Sequence, residues 1–417
     1  MTANTWFAVY LGFSLVVPLA IAGLALINTG LGRSRSAAHA MTLSLSVVSL
    51  AMLIYFAWGG AIEGSIGGPF FGVGFGPFLR YVPWTNPSSA AALLPILSVA
   101  LSAMIPLGSS ADRWRLSGAC FSTVVFAGIL YPLFARWTAH AELFASHTQG
   151  LIFPYAPTFL LDAGGSARIH ATGGLTALSL SWLLGPRSGK YSSQGMPAAI
   201  PAHNGVFVLF GCMLAWMGWL GLNSTGAMLH LPPGLAAERL VLIIANTSFA
   251  AAAAALAAGA TTRVRFRRPD ASLIANGWMA GLVAGSAGCA TLKPATAILT
   301  GLVAGFIVVV SVEFFELHLK VDDPCGSISV HAVGGLWGLL AAGIFSGSAA
   351  QFMAQLVGIA TLLGLIFPLT YGLNWLLSRF IPYRVSIDGE RQGLDLNELG
   401  ADAYPEFVVH ADEFLQR

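Results

Sequence analysis

Two histidines, 161 positions apart, sit inside two copies of one phrase. Residues 162–175 read D-A-G-G-S-A-R-I-H-A-T-G-G-L, and residues 323–336 read D-P-C-G-S-I-S-V-H-A-V-G-G-L. His170 and His331 each follow an aspartate, Asp162 and Asp323, by eight residues, and each is followed, after two intervening residues, by Gly-Gly-Leu. A neutral imidazole carries one donor and one acceptor, so two facing rings can share a proton and pass it on. Apolar surroundings favour the neutral ring. A narrow path lined by such a pair repels ions and admits small uncharged molecules, and it can take a proton from an arriving weak acid such as ammonium. One lone histidine would read as a hydrogen bond between helices; two at repeat-equivalent positions read as a transport centre. Aspartate is a favoured residue at a helix start, so Asp162 and Asp323 are expected to act structurally or electrostatically at two mouths. Asp162 is also placed to draw a cation to its own mouth.

The elements that must hold these rings are membrane helices. The chain has 417 residues, 56% hydrophobic and 9% charged, against about 25% charged in a soluble domain. Apolar runs of the roughly 20 residues needed to cross a bilayer recur throughout. Spans are expected at 5–31, 39–60, 90–107, 116–135, 162–184, 203–222, 238–260, 272–290, 295–318, 328–346 and 352–378, eleven in all. Residues 5–31 lack a preceding basic segment and read as the first span, not a cleaved signal peptide. The net charge of +2 gives no reason to expect nucleic acid, and the four scattered cysteines read as free packing residues. No metal-ligand spacing, cofactor motif or nucleotide loop is visible, and an enzyme is not expected. G-x-G-x-x-G look-alikes among 48 glycines read as helix packing.

Basic residues orient the spans. Arg33, Arg35, Arg113, Arg115, Arg187, Lys190, Arg263, Arg265, Arg267, Arg268, Lys320, Arg379 and Arg384 fall in alternate loops, whereas the opposite loops hold Arg80, Arg136, Arg239 and Lys293. This bias predicts an inner-membrane protein with the N-terminus outside and the C-terminus in the cytoplasm. His170 then lies on an inward-running span and His331 on an outward-running one. That is the pattern of two inverted five-helix repeats, about 5–184 and 203–346, with a site at the midplane. Eight helical residues rise about 12 Å, which sets each histidine near the middle of a core ~30 Å thick. The domain plan is a transmembrane unit over 1–380, closed by the eleventh helix at 352–378, and a cytoplasmic tail over 381–417. Loops 61–89 and 136–161 are external and could shape a vestibule.

Taken together these motifs resemble the ammonium transporter/Rhesus protein family over nearly the whole chain. D-A-G-G-S-A-R-I-H (162–170) is similar to the Rhesus form of the fifth-helix signature. P-A-H-N (201–204), G-W-L-G-L-N (218–223), N-T (246–247), G-L-V (281–283), V-D-D-P-C-G-S-I-S-V-H (321–331) and the tail R-Q-G-L-D-L-N-E-L-G-A-D-A-Y (391–404) are similar to the bacterial ammonium transporter form. The resemblance implies homotrimers in the lipid bilayer with one pore per protomer, His170 and His331 as twin pore histidines, Asp162 at the outer half and Trp219 along the pore. Ser286 matches a family hydroxyl near the histidines. It implies that ammonium is recruited outside and deprotonated, and that ammonia then crosses. The tail implies a PII-type signal protein as partner, with Leu399 in place of a usual histidine.

Departures from the family pattern fall in the filter. The two gate phenylalanines are replaced by Ser98 and Leu222, the serine of the outer site by Gly226, and the cytoplasmic F-Y-G-G by Ile27-Asn28-Thr29-Gly30, which puts Asn28 on the pore. Lost aromatic faces remove a cation–π contribution of roughly 0.5–2 kcal/mol, which predicts weaker recruitment or a wider pore. Arg168, two residues before His170, lies about 3 Å along the axis and roughly 200° around it. An arginine at the midplane costs at least ~2.5 kcal/mol, so it must have a partner or a watery cavity. Two readings stay open for it: a structural role between helices or subunits, or a pore-modifying one. Three functions are weighed: an ammonium/ammonia transporter, a non-conducting ammonium sensor or regulator, and a channel for another small neutral molecule such as carbon dioxide or methylamine.

Overall fold

The computed structural model describes residues 3–66, 73–139, 160–231 and 233–404. Among them, nine helices are long and apolar enough to cross a membrane: Thr5–Leu31, Ser34–Glu63, Pro87–Ser109, Leu116–Thr138, Gly205–His230, Gly234–Phe266, Pro294–Leu317, Ile328–Phe345 and Ala349–Ser378. Residues 166–184 and Ala271–Ser286 are helical too. They fall outside the nine for physical reasons. The first carries Arg168, His170 and a run of small and hydroxylated residues, and the second has only 16 residues. Both are almost wholly enclosed by other helices, so neither needs a lipid-facing stripe. The regular secondary structure among the described residues is otherwise helical, apart from one two-residue antiparallel pairing, Ser65–Ile66 with Val73–Gly74, and two isolated bridges, Trp114 with Arg384 and Tyr191 with Pro197, a small departure from an all-α reading.

Several helix ends differ from the hydropathy reading: the helix expected from 162 starts at Ser166, because Asp162 bonds its first amides from outside it, and the one expected over 238–260 runs Pro233–Phe266. Two further differences bear on the site. The helix expected over 203–222 starts at Gly205 and runs on to His230. It begins there because the Asn204 side chain accepts from the Phe207 amide, and it continues because 223–230 bury small and polar residues against other helices, which a hydropathy window undervalues. The helix expected over 272–290 ends at Ser286, where the 160–165 segment takes its free carbonyls: Ala163 N–H donates to Ala287 O (3.3 Å) and Gly164 N–H to Ser286 O (3.0 Å). Most of the expected external loop 136–161 lies outside the described residues. Leu15, Leu45, Val241, Leu256 and Val264 stand exposed, as side chains in contact with hydrocarbon can.

The helices through the two histidines cross at glycines. A Cβ on Gly174 would strike the Ala332 backbone nitrogen, and one on Gly335 would lie 2.6 Å from Ser166 O and 3.0 Å from Ala171 N. Gly174 and Gly335 are repeat-equivalent, and so are Ala171 and Ala332. Each glycine therefore admits the backbone beside the other copy's histidine. The neighbouring helices repeat the arrangement: 93–109 packs on 172–184, and 271–286 packs on 334–345. Elsewhere Gly281, Gly301 and Gly305 bring two helices onto the backbone of Ala250 and Ala254, the close approach that small residues permit without water to drive association.

At the end rich in basic loops, buried charges tie the helix ends together. Arg187 grips Asp322 through Nε (2.8 Å) and Nη2 (3.0 Å) and reaches Asp112 through Nη1 (2.9 Å). Arg113 donates from Nη2 to Asp322 O (2.7 Å) and from Nε to Gly185 O (2.8 Å). Burial pushes the Asp322 carboxyl up, but the Arg113 charge and the bonds and charge of Arg187 outweigh it and hold the group at about 2. The tail docks on the same face by capping. Asp395 accepts from the Ala38 and His39 amides (3.1 and 2.7 Å), Glu398 from the Leu116 amide (3.2 Å) and Glu390 from the Ser188 amide (2.6 Å). Orphan amides at helix starts favour carboxylates, so Asp395 and Glu398 serve helices that begin hundreds of residues earlier, while Glu390 ties down the turn that follows Leu184.

Two outcomes are expected. Gly174→Val lowers the thermal midpoint of the purified protein, with overpacking at a backbone contact costing about 1–3 kcal/mol or more, whereas Gly372→Ala, where nothing lies within 4 Å, leaves it unchanged or raised. For Asp322, an unfolded carboxyl ionises near pH 4 and the folded one near 2. Its stabilisation, on the order of 2 kcal/mol, is present above about pH 4 and lost as pH falls towards 2. Melting curves of wild type and Asp322→Asn across that window should therefore converge at the acid end.

Candidate functional site: a buried row of rings

Local chemistry sets each histidine in place. Gly165 (φ 86°) and Gly326 (φ 69°) turn the chain through the left-handed region, which favours glycine, just before each helix. Each helix then opens with a wide π-type turn, Ser166–Ala171 and Ile328–Val333, and each turn contains the histidine. Two aspartates bond the amides at the helix starts. Asp162 accepts from the Ala167 and Arg168 amides (3.0 and 2.9 Å), and Asp323 from the Ser327 and Ile328 amides (3.0 and 2.7 Å). Both oxygens of each carboxylate are engaged, so neither points at a histidine. Ser166 bolts the first helix start to its neighbour: its Oγ donates to Val283 O (2.7 Å) and accepts from Ala287 N–H (2.7 Å). Ser102 Oγ donates to Ile169 O (2.6 Å), serving a carbonyl inside the wide turn.

The rings form a buried row. Trp219 stacks on His170 with centroids 4.9 Å apart and planes 9° apart, and His170 faces His331 at 5.3 Å and 32°. Trp219 Nε1 donates to Ser286 Oγ (3.2 Å), which donates in turn to Leu282 O (2.8 Å). The tryptophan ring is thus fixed at its polar edge. Both ring nitrogens of His170 and Nδ1 of His331 meet no hydrogen-bond partner. A buried polar atom left unpaired costs about 1–3 kcal/mol, and three in one place call for an explanation. Beyond His331 lies a small cavity whose walls include Leu24, Asn28, Asn276, Cys325 and Ser327. Asn276 also borders a cavity of about 280 Å³ flanked by Lys190, Asp270, Glu316, Asp322 and Ser329.

The other sequence-derived positions divide. Asn28 borders the His331 cavity, with its Nδ2 donating to Met104 O (3.3 Å). Leu222, on the Trp219 helix, and Ser98 are both buried. Gly226 is walled in: a Cβ there would run into the Ala163 carbonyl, and its own carbonyl accepts from His230 Nδ1 (2.7 Å). Arg168 is 5% exposed, its Nε is unpaired, and its charge interacts with Tyr131, Glu63, Asp162 and Tyr55. Sequence reading missed Glu63, which is fully enclosed and accepts from Tyr55 OH (2.6 Å). The available signal was an acid closing an apolar helix, two turns after a tyrosine.

The Ammonium Transporter Family model matches residues 8–404. The chain belongs to the ammonium transporter family. This family member is 33% identical to the ammonium transporter Amt2 of Archaeoglobus fulgidus over 413 residues, covering 94% of this chain and 86% of that protein. It is 27% identical to ammonium transporter 1 member 3 of Solanum lycopersicum, covering 95% and 92%. Among solved structures, one titled Sensor Amt Protein superposes with a TM-score of 0.84 at 26% identity, covering 95% of this chain and 98% of that one. The crystal structure of Candida albicans Mep2 superposes at 0.76 and 23% identity, covering 97% and 90%, which establishes the shared fold.

Because the two caps hold the histidine turns, Asp162→Ala and Asp323→Ala should each destabilise the purified family member by about 0.5–2 kcal/mol. Thermal unfolding checks the loss, and Asp→Asn at either site, which keeps an acceptor, should recover part of it.

Proposed function

We propose that this family member moves ammonium nitrogen across the membrane as ammonia, with His170 and His331 as the centre that accepts the proton. The observation that carries this is the row of buried rings with three unpaired imidazole nitrogens. A small molecule with both donor and acceptor character would satisfy those nitrogens in passing, and a neutral imidazole can hold the proton that ammonium gives up. Trp219, tied by Ser286, forms one wall of the path, and Asn28 borders its other end. Leu222, Ser98 and Gly226 stand where the filter would be, Asp162 and Asp323 orient the two histidine turns, and Arg168 modifies the entrance.

The wider reading takes the helices as eleven spans in two inverted repeats, about 5–184 and 203–346, with 352–378 as the last. The reciprocal contacts of Gly174 with Ala332 and of Gly335 with Ala171 support it, because a twofold relation produces such pairs. The basic loops favour an inner-membrane protein with its N-terminus outside and its C-terminus in the cytoplasm. The transmembrane unit covers 1–380, and the tail 381–417 is the surface open to a PII-type signal protein. Assembly as a homotrimer is part of the same proposal.

A sensor is the second reading, and the likeness to the structure titled Sensor Amt Protein favours weighing it. Stopped-flow measurement of internal pH in proteoliposomes separates the two. Transport predicts ammonia entry above empty liposomes, and His170→Ala or His331→Ala should change the rate by about tenfold, a barrier change of ~1.4 kcal/mol. Saturable ammonium binding with no flux would instead establish the sensor reading.

A further inference from the structure

Of the nine histidines, three among the described residues carry a buried ring nitrogen without a hydrogen-bond partner: His170, His331 and His39. The third lies outside the ring row, on the helix Ala37–Ile54, and is 3% exposed with its Nε2 unpaired. It borders a cavity of about 20 Å³ whose walls include Asn28, Ser36, Ser110, Asp112 and Trp114. Ser110 Oγ and Asn28 Oδ1 are likewise buried and unpaired. A polar cavity of roughly 10–15 Å³ or more can hold a water that finds two to four polar partners. This chamber offers a ring nitrogen, a hydroxyl and an amide.

Asn28 joins the chamber to the ring row. It borders both the chamber and the cavity of about 10 Å³ that His331 and Ser327 help to line. Its Nδ2 is fixed on Met104 O (3.3 Å), which orients the amide. A Cβ on Gly108 would run into Ser327 Oγ and lie 2.6 Å from Asn28 Oδ1, so the bare glycine leaves room for these two polar atoms side by side. The far wall of the chamber belongs to the face with the basic loops. There Asp112 accepts from Arg187 Nη1 (2.9 Å) and from the Arg33 amide (3.1 Å). On the docked tail, Asp395 accepts from the His39 amide (2.7 Å), and Glu398 lies 3.9 Å from Arg115. Carboxylates favour a protonated ring and the arginines beside them oppose it. A ring set between the two can take up a proton and release it.

We propose that His39 is a third proton-handling histidine: the proton that ammonium leaves at the His170–His331 pair passes through water held at Asn28 and Ser110 to His39 Nε2, and from there to the face with the basic loops. The proposal rests on the reading of His170 and His331 as the centre that accepts the proton. Only protons move. An N–H bond breaks on the His331 imidazolium as an O–H bond forms on water; an O–H bond breaks as an N–H bond forms on His39; solvent then takes the proton from His39. Ammonia needs no such chain and has another way out, because Asn276 borders both the His331 cavity and the cavity of about 280 Å³. His39 thus never touches the ammonia, and Asn28 is a positioning residue for the water.

Two readouts on the full chain test this: ammonium-evoked current in proteoliposomes on a solid-supported membrane, and internal pH by stopped flow. Wild type should give a current, because ammonia and its proton both cross. His39→Gln should lower that current about tenfold or more, since a positioned proton-transfer group contributes on the order of 10²-fold. Ammonia should still enter the variant and now alkalinise the interior, because its proton stays behind. Asn28→Leu should lower the current in the same way. In His39→Ala, imidazole in the buffer should restore the current, a rescue that a packing role for His39 would not show.

Equal currents in wild type and His39→Gln overturn the proposal, and so does a loss in His39→Ala that imidazole leaves unrepaired. If His39→Ala cannot be purified, the His39→Gln current decides alone; aggregation of both variants overturns the proposal, because the ring then serves folding. Ammonia entry in wild type without any current removes this proposal and leaves the transport reading standing. A proton current that falls in His39→Gln, with no ammonia entry in wild type, does the reverse.

Discussion

Everything about the ring row depends on two backbones touching. His170 and His331 can face each other at 5.3 Å only because their helices cross at Gly174 and Gly335. A side chain at either glycine would push the helices apart by the width of a methyl group or more and open the pair. Helix association in a bilayer lacks the solvent drive available to soluble proteins and relies on close packing and buried hydrogen bonds. The glycine crossing supplies the first. Ser166 and Ser102, bonded to Val283 O and Ile169 O, supply the second.

Around that crossing the protein handles polarity in three distinct ways. At the helix starts, carboxylates are fully engaged by amides, as at Asp162 and Asp323. At the face holding the basic loops, Arg187 and Arg113 bind Asp322 and Asp112 in a network that ties three helix ends together. In the ring row the imidazole nitrogens are left unpaired. The first two arrangements are closed chemistry, with donors matched to acceptors. The third is open chemistry, and it is the kind a passing molecule can complete. The surroundings of Arg168 stand between them, with Arg168 Nε and the Tyr131 hydroxyl unpaired.

Much of this was legible along the chain. The apolar runs marked the helices because a lipid-facing helix must be apolar over its length. The eight-residue interval from Asp to His, found twice, marked the helix starts and the rings because a cap and a buried side chain on one helix are related by local geometry. The extension of the Gly205 helix to His230 was missed because residues buried among other helices need not be hydrophobic, and hydropathy reads lipid contact, not burial. Glu63 was missed because its partner Tyr55 reaches it across a wide turn, Tyr55–Gly59, that sequence spacing does not reveal.

By itself, then, the sequence determined what is periodic or repeated: the helical membrane class, the paired histidines and the aspartates that cap their helices, all consequences of interactions within one helix. Tertiary structure alone decided what those groups meet. It stacked Trp219 on His170, walled in Gly226 with the Ala163 carbonyl, brought Tyr131 beside Ser98 and used Asp395 to cap a helix that begins more than 350 residues earlier. Such contacts join residues distant along the chain, and nothing in local spacing encodes them. They follow from how closely the helices can approach, which the glycines permit and the complete packing decides.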